Sequence, residues 1–348
     1  MKKASRIICL LVAVLLLLLV TGCGSSKAEN VVISYNSPQL WVNWGNVLTE
    51  FSKTTGITAP NDNKNAGQTL SALIAEKGSP VADTAYLSIS YAYQSNAEDV
   101  MDTYKPDGFD NLPDSLKDED GRWFTVHYGA TAILCNTEVL GSLPIPESYQ
   151  DLLDPMYKGK IAFYDPPSSG VGYSVCTNIN LAMGGTLENW EPCFEFFTEL
   201  LRNDPMFPKQ DATAKLMKGE IGILVCADFT GYTCKYNEGA PIEVVLPAEG
   251  YIRIPYTMSL VKNAPHADNG KALIDFCMSD AGQRLFAEGF VRPVKESALT
   301  DELKEKFLPD EAYENVIDLD YQAMSAAQQN FMDNWVVRIY DGQTDFDA

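Results

Sequence analysis

The sequence predicts an α/β protein built from two domains. This expectation rests on the length of 348 residues, on short apolar segments rich in β-branched residues, and on helical spacing between those segments. A chain of this length exceeds one ordinary hydrophobic core. Apolar residues make up 46% of the sequence and charged residues 21%, which is typical of a folded globular protein. Strands that alternate with amphipathic helices favour a mostly parallel sheet.

The first domain is expected to begin just after a short polar segment. Apolar, β-branched stretches bounded by turn residues indicate strands, and apolar residues three or four positions apart indicate helices. By these criteria, strands are predicted at residues 31–35, 56–58 and 82–87, and helices at 44–51 and 69–76.

A second α/β unit is expected from about residue 136. The same patterns continue to the end of the chain, but the residues after about 300 contain no pattern that indicates a function. Strands are predicted at 160–164, 221–225 and 242–246, a helix from about Val171, a returning strand at 256–261, and helices at 270–278 and 281–289.

The N-terminus has the layout of a secretory signal. Three basic residues precede an apolar stretch that begins at Ile7, and the small residues Thr21 and Gly22 follow it. Cys23 comes directly after them, in an arrangement that resembles a bacterial lipobox, in which the cysteine is lipidated. The alternative is a transmembrane anchor, but the apolar stretch is short for a spanning helix of about 20 residues. We therefore expect a lipoprotein signal peptide over residues 1–22 and a tether over 23–30.

Composition excludes several classes of function. The formal net charge is −21, so the chain lacks the basic character that phosphate-backbone binding requires, and nucleic acid is not an expected partner. Six cysteines follow Cys23 without Cys-x-x-Cys spacing, and there are two histidines, so no metal site and no cofactor is predicted. A local disulfide between Cys226 and Cys234 stays open, because an exported protein permits it.

Catalysis is not predicted either. The sequence has no Gly-x-Ser-x-Gly elbow, no His-Glu-x-x-His motif and no phosphate-cradling glycine-rich motif. His127 lies in an apolar stretch and is interpreted as a buried structural histidine. A binding protein and a surface adhesin or scaffold remain as the two non-enzymatic classes.

Several blocks of sequence, taken together, resemble one family. These blocks cover residues 83–86, 104–106, 123–136, 146–161, 263–266, 274–279 and 282–283. In order and spacing they are similar to the extracellular solute-binding proteins (family 1) of ABC importers, and to the subgroup that includes ferric-iron, 2-aminoethylphosphonate and polyamine binders. The likeness covers roughly residues 31–295.

The resemblance implies a periplasmic-binding-protein-like clamp of type II, in which the chain crosses twice between two α/β lobes. Lobe one would hold residues 31–130 plus 259–348, and lobe two residues 131–258. A small-molecule ligand would bind between the lobes, and ABC permease subunits would receive it. The expected protein is a monomer, anchored by lipid on Cys23 to the outer face of a bacterial cell membrane, on the periplasmic side if the cell is Gram-negative.

Ligands of open α/β sheets bind beyond the carboxyl ends of the strands, which selects candidate loops. After the first and third predicted strands, the candidates are Asn36, Ser37, Trp41, Ser88 and Tyr91. Each polar member has an alternative role as an ordinary turn or helix-capping residue.

In lobe two, Ser168, Ser169 and Gly170 precede a helix, whose free N–H groups favour an anion, although a serine there is also an ordinary N-cap. The remaining candidates are Asp228, Tyr232, Arg253 and Tyr256. Asp228 has the alternative of an exposed surface aspartate, and Arg253 that of an interlobe salt bridge.

The predicted ligand is a small polar solute that carries an amine, a phosphonate or both. Ferric iron is the alternative. In the ferric members of the resembled family adjacent tyrosines bind the metal, whereas Tyr232 and Tyr236 are four positions apart here.

Overall fold

The computed structural model describes residues 30–341. The predicted signal peptide, Cys23 and the tether up to residue 29 lie outside the described residues. Within the described part, no helix combines the length and the apolar character needed to cross a bilayer.

Strands and helices alternate along the chain, and most of the predicted elements are present. The strands are β1 (Ser34–Tyr35), β2 (Thr84–Ser88), β3 (Met101–Asp102), β4 (Phe124–Asn136), β5 (Ile161–Phe163), β6 (Ile223–Ala227), β7 (Ile242–Val245), β8 (Arg253–Val261) and β9 (Arg292–Pro293). The α-helices are α1 (Trp44–Thr55), α2 (Ala66–Ala75), α3 (Ile89–Ala97), α4 (Thr137–Leu140), α5 (Gly170–Ala182), α6 (Glu191–Leu200), α7 (Ala212–Met217), α8 (Asp228–Tyr232), α9 (Ala267–Met278), α10 (Asp280–Glu288), α11 (Asp301–Lys304) and α12 (Tyr321–Trp335).

Two predictions about the sheet are wrong. Residues 56–58 form a single bridge between Thr58 and Val31 rather than a strand, because Gly56 ends α1 in the left-handed conformation (φ 73°) and the pairing goes no further. The sheet is also mixed rather than mostly parallel. Only β1–β2 and β5–β6 are parallel among the strand pairs of the described residues, since the long strands β4 and β8 run antiparallel to their neighbours.

The two lobes are joined by β4 and β8. Residues of β4 up to Ala130 pair with β8, whereas residues from Thr131 onward pair with β6 and β7. Because Arg253 at the start of β8 lies opposite Ala130, both strands pass between the lobes at the same level. The predicted two-lobed α/β clamp with two crossing strands is therefore confirmed.

The sequence analysis placed residues 259–348 on lobe one, but the part of this segment from about residue 315 contacts lobe two as well as lobe one. Val316 forms a parallel bridge with Tyr251, and Phe331 and Trp335 of α12 are buried against α5 and α6 of lobe two. The physical reason is the apolar face of α12, which fills a gap between aromatic side chains of lobe two. Asp320 begins this helix by accepting hydrogen bonds from the N–H groups of Gln322 and Ala323.

The six cysteines of the described residues carry free, buried thiols. Cys226 and Cys234 are not bonded to each other, and the Cys226 thiol instead donates to Thr230 Oγ1 at 3.7 Å. Burial raises the pKa of both thiols to about 12, so they behave as small apolar side chains of the core.

Candidate functional site

A cavity of about 650 Å³ lies between the two lobes. Both lobes supply its walls, and part of its lining follows the carboxyl ends of β1, β2, β5 and β6. This volume falls in the ordinary range for small-molecule sites. Its lining includes Asn36, Trp41, Lys64, Asn65, Ala66, Ser88, Tyr164, Ser169, Gly170, Lys209, Asp211, Thr213, Phe229, Glu238 and Tyr256.

Three helices begin at one end of this cavity, which we call the three-helix end: α2, α3 and α5. The Cα of Gly170 at the start of α5 lies so close to Ser88 that a Cβ atom would collide with the serine hydroxyl. A Cβ atom on Gly67, at the start of α2, would lie 3.9 Å from the carbonyl oxygen of Ser168 and 3.5 Å from the Tyr91 hydroxyl. The first turns of the three helices are therefore neighbours across the lobe boundary.

The sequence accounts for each helix start. Asn65 accepts from the Gln68 N–H, and Gln68 returns a bond to the Asn65 N–H, which completes a capping box at α2. Ser169 accepts from the Gly172 N–H at α5. Ser88 precedes α3 without a side-chain capping bond, and its buried hydroxyl has no hydrogen-bond partner among the described residues. The remaining N–H groups of the first turns have no partner within their helices.

Partial positive charge accumulates at this end, because each helix dipole points its N-terminus there. Lys64 on lobe one and Lys209 on lobe two add formal charge to the lining. Lys64 is ion-paired with Asp62 at 2.7 Å and lies over the Tyr35 ring at 3.7 Å, which holds its side chain in place.

An aromatic wall lies elsewhere in the cavity, formed by Trp41, Phe229 and Tyr256. The Trp41 and Phe229 rings meet edge to face with centroids 5.2 Å apart, and Tyr256 lies 6.1–6.3 Å from both. Since Trp41 belongs to lobe one and Phe229 to lobe two, this contact also joins the lobes. Tyr164 is held by a 2.7 Å hydrogen bond between its hydroxyl and Thr213 Oγ1.

A second polar cluster lies beside the crossing strands, outside the cavity lining. We call it the interlobe network, and its members are Asp228, Tyr232, Arg292 and Tyr313. Asp228 is fully buried. Its carboxylate accepts hydrogen bonds from Arg292 Nη1 at 2.8 Å and from the Ala130 N–H at 2.9 Å.

The Tyr313 hydroxyl donates to Asp228 at 3.3 Å and lies 2.6 Å from the Tyr232 hydroxyl, while its ring stacks on the Arg292 guanidinium at 3.9 Å. Although burial opposes the charge, the neighbouring Asp228 carboxylate raises the pKa of Arg292 above its ordinary value. The network therefore holds an ion pair between the lobes.

The structure brings six of the twelve candidate ligand residues to the cavity and leaves six beside it. Those that line it are Asn36, Trp41, Ser88, Ser169, Gly170 and Tyr256. Asn36 is held by a 2.7 Å bond from its Nδ2 to the Tyr86 carbonyl, in a left-handed backbone conformation (φ 63°). Ligand contact by these residues stays a prediction.

The other six have structural partners of their own. Ser37 donates to the Ser34 carbonyl, Ser168 donates to the Asp165 carbonyl, and Tyr91 is buried behind the three-helix end, where burial raises its pKa to about 12. Asp228 and Tyr232 belong to the interlobe network. Arg253 is exposed, with its guanidinium 5.9 Å from the Tyr128 ring centroid.

The model of the family described as bacterial extracellular solute-binding protein matches residues 82–323, which is more than half of the chain. The chain belongs to this family. The predicted resemblance is therefore confirmed, and the protein is a periplasmic solute-binding protein of the kind that serves ABC importers.

Individual relatives are similar over most of their length. A putative 2-aminoethylphosphonate-binding periplasmic protein of Salmonella typhi is 26% identical over 274 residues, which cover 76% of this chain and 78% of the relative. The periplasmic binding protein AfuA of Actinobacillus pleuropneumoniae was solved with fructose-6-phosphate bound. Its structure has a TM-score of 0.79 at 23% identity, and the alignment covers 90% of this chain and 99% of AfuA. Iron-bound HitA of Pseudomonas aeruginosa has a TM-score of 0.71 at 16% identity, with 87% of this chain and 98% of HitA covered.

Sequence reasoning missed several residues of this solute-binding protein's cavity. The start of α2 carried a usable signal, since Asn65 and Gln68 have the spacing of a capping box before an apolar run. No sequence signal marks Lys64, Tyr164 or Phe229 as cavity residues. A lysine in a loop, or an aromatic residue beside a strand, occurs equally in proteins where it lines no cavity.

Proposed function

We propose that this protein captures a small organic phosphonate or phosphate ester in the interlobe cavity and delivers it to its ABC permease. The observation that carries the proposal is the three-helix end. Three converging helix N-termini offer unpaired N–H groups and partial positive charge, which match the several oxygens of a phosphoryl group.

Ser88 is the residue of this end that most directly suggests a ligand. A buried hydroxyl without a partner is costly, and a ligand oxygen would satisfy it. Lys64 and Lys209 would add charge attraction from the two lobes. A dianionic group suits this arrangement better than a polyamine, whose charges would meet helix N-termini and lysines.

The carbon part of the solute has room beside the aromatic wall. A cavity of about 650 Å³ is large for a two-carbon aminophosphonate and accommodates a sugar-sized body. Asp211 and Glu238, also in the lining, offer carboxylates to an amine on the solute, so a zwitterion remains within the proposed class.

Ferric iron receives less support. The Tyr232 hydroxyl, the candidate phenolate, is hydrogen-bonded to the Tyr313 hydroxyl and to the Leu308 N–H, and burial raises the Tyr232 pKa to about 12. Among the described residues, no group of three or more His, Cys, Asp or Glu side chains is arranged to hold a metal ion.

We also propose that Cys23 is lipidated and holds the protein beside its permease. The signal-like N-terminus and the small residues before Cys23 support this anchoring. Cys23→Ser should release the protein from the cell surface into the medium. Retention of the variant on washed cells would contradict the proposal.

Binding is tested by thermal shift and calorimetry with 2-aminoethylphosphonate, fructose 6-phosphate, spermidine and ferric citrate. We expect at least one phosphorus compound to raise the unfolding midpoint, and Ser88→Ala to weaken its binding about tenfold by removing one hydrogen bond to a charged group.

Ser95→Ala is the matched control, because Ser95 is buried in the same helix and donates to the Ala92 carbonyl away from the cavity. Stabilisation by spermidine or ferric citrate alone would contradict the proposed ligand class. Equal effects of the two serine variants on binding would show that Ser88 does not contact the ligand.

A further inference from the structure

Helix α12 is anchored firmly on lobe two. Phe331 packs on Trp190 and Phe194 with ring centroids 4.6 and 5.6 Å apart, and Trp335 packs on Phe197 at 4.7 Å. Phe331 and Trp335 are both completely buried. Burial of two large aromatic side chains makes this face of the helix a permanent part of lobe two.

The chain that leads into α12 is fastened to lobe two as well. The Tyr251 N–H donates to the Asn315 carbonyl at 3.1 Å, and the Ile317 N–H donates to the Tyr251 carbonyl at 2.7 Å. Asn315 Nδ2 also donates to the Ala248 carbonyl at 2.9 Å. The segment is therefore fastened to lobe two both at its start and along its helix.

The N-terminal part of the same buried face of α12 lies against α3, which belongs to lobe one. Ser325 donates through its hydroxyl to the Ser90 carbonyl at 2.7 Å, and Gln94 Nε2 donates to Gln328 Oε1 at 2.7 Å. Ser325 and Gln328 are both buried. These two bonds cross the lobe boundary, and α3 carries Ser88 of the three-helix end at its start.

We propose that α12 acts as a latch: it is fixed to lobe two and its hydrogen bonds hold α3 of lobe one. The closed form is therefore populated before a solute binds. Opening must break the two bonds from Ser325 and Gln328, whereas the aromatic anchor on lobe two stays intact. Each such bond shifts an equilibrium constant by about twofold to tenfold. Closure would then be set partly by residues that never touch the solute, and prior closure raises apparent affinity.

The test measures the interlobe distance without any solute, so it is independent of the proposed ligand class. Spin labels are placed by Lys53→Cys on lobe one and Arg202→Cys on lobe two, whose side chains are 74% and 69% exposed, in the exported Cys23→Ser protein. We expect Ser325→Ala combined with Gln328→Ala to lower the ratio of closed to open molecules about tenfold.

Gln329→Ala is the matched control, since Gln329 is exposed on the same helix and bonds only Asp333 of that helix. It should leave the ratio unchanged. A ratio in the double variant within twofold of the parent overturns the latch, and so does a parent that is entirely open.

A second variant guards against simple loss of structure in α12. Gln94→Cys with Gln328→Cys, joined by a short dithiol-reactive crosslinker, should keep the unliganded protein closed, as read from its radius of gyration by small-angle scattering. A crosslinked protein that still reaches the open radius would show that α12 does not restrain the lobes, and would overturn the proposal.

Discussion

The three-helix end of the cavity and the interlobe network both contain buried polar side chains, but these side chains differ in whether they have hydrogen-bond partners. Ser88 is the last residue of β2, Asp228 follows β6, and both side chains are buried. The Ser88 hydroxyl has no partner among the described residues, whereas Asp228 receives Arg292, Tyr313 and the Ala130 N–H. A buried polar group without a partner beside a cavity indicates a ligand, and one with every partner present indicates mechanical support.

The two regions are therefore expected to have different roles, one in solute binding and the other in stability. The three-helix end lines the cavity, and the lobes meet there at Gly170 and Ser88 and at Gly67 and Ser168, so changes there should alter solute binding. The interlobe network lies beside the crossing strands that join the lobes, and we expect it to stabilise the fold in open and closed forms alike. Substitutions of Asp228, Tyr313 and Gly170 separate these expectations.

The largest effect is expected from Asp228→Asn. Removing the carboxylate charge leaves Arg292 largely buried without its counter-ion, which costs about 3–5 kcal/mol of unfolding free energy. Urea denaturation should measure this loss. The affinity of the folded variant for the phosphorus compound that best stabilises the parent should stay within about threefold, because Asp228 does not line the cavity.

The opposite result would reverse the comparison. If Asp228→Asn kept its stability and lost binding, the carboxylate would contact the solute, as the sequence analysis predicted. Tyr313→Phe provides a milder check on the same network, because it removes the hydroxyl that bonds Asp228 and Tyr232 while keeping the ring on Arg292.

Next in size is Gly170→Ala. An added Cβ would collide with the Ser88 hydroxyl and lie 3.0 Å from Ser88 Cβ, a contact that exists only while the lobes are together. We expect about a 100-fold loss of affinity for the same phosphorus compound, equivalent to about 2.7 kcal/mol. The unfolding midpoint should barely move, because alanine is a better helix former than glycine.

Gly78→Ala is the control for this substitution, since a Cβ there meets nothing within 4 Å and its φ is not positive. Calorimetry with parent, variant and control gives the comparison. Unchanged affinity in Gly170→Ala would mean that the lobes need not come this close to hold the solute.

The resemblance to solute-binding proteins predicted the clamp, and half of the twelve candidate ligand residues line the cavity. Asn36 and Ser88 follow predicted strands and Ser169 precedes a predicted helix, and the rule for open sheets places such positions at one edge. These are local patterns, so they can be read without knowing which strands pair.

The remainder depends on contacts between distant parts of the chain. Arg292 lies 64 positions from Asp228 and Tyr313 lies 85 positions from it, so no local pattern indicates that the aspartate is paired. The role of α12 was missed for the same reason. Its apolar residues predict a helix, but its attachment to lobe two depends on aromatic side chains more than a hundred positions earlier in the sequence.

The smallest expected effect comes from His127, which tests an unpaired polar atom that does not line the cavity. His127 Nε2 lies 3.0 Å from the Tyr86 hydroxyl, while Nδ1 has no partner among the described residues and aromatic rings surround it. Burial lowers the His127 pKa from its ordinary 6.5 to about 3. The unfolded chain therefore binds a proton below pH 6.5 that the folded chain refuses until about pH 3.

Stability should consequently be complete above pH 6.5 and fall as the pH decreases, by about 1.4 kcal/mol per unit or about 2 kcal/mol at pH 5. Denaturation at several pH values should show this slope in the parent and a slope smaller by that amount in His127→Gln. Solute affinity should be alike in both proteins at pH 7, where His127 is neutral. Equal slopes would mean that His127 accepts its proton in the folded state as readily as in the unfolded state. Burial of the imidazole would then not oppose its protonation.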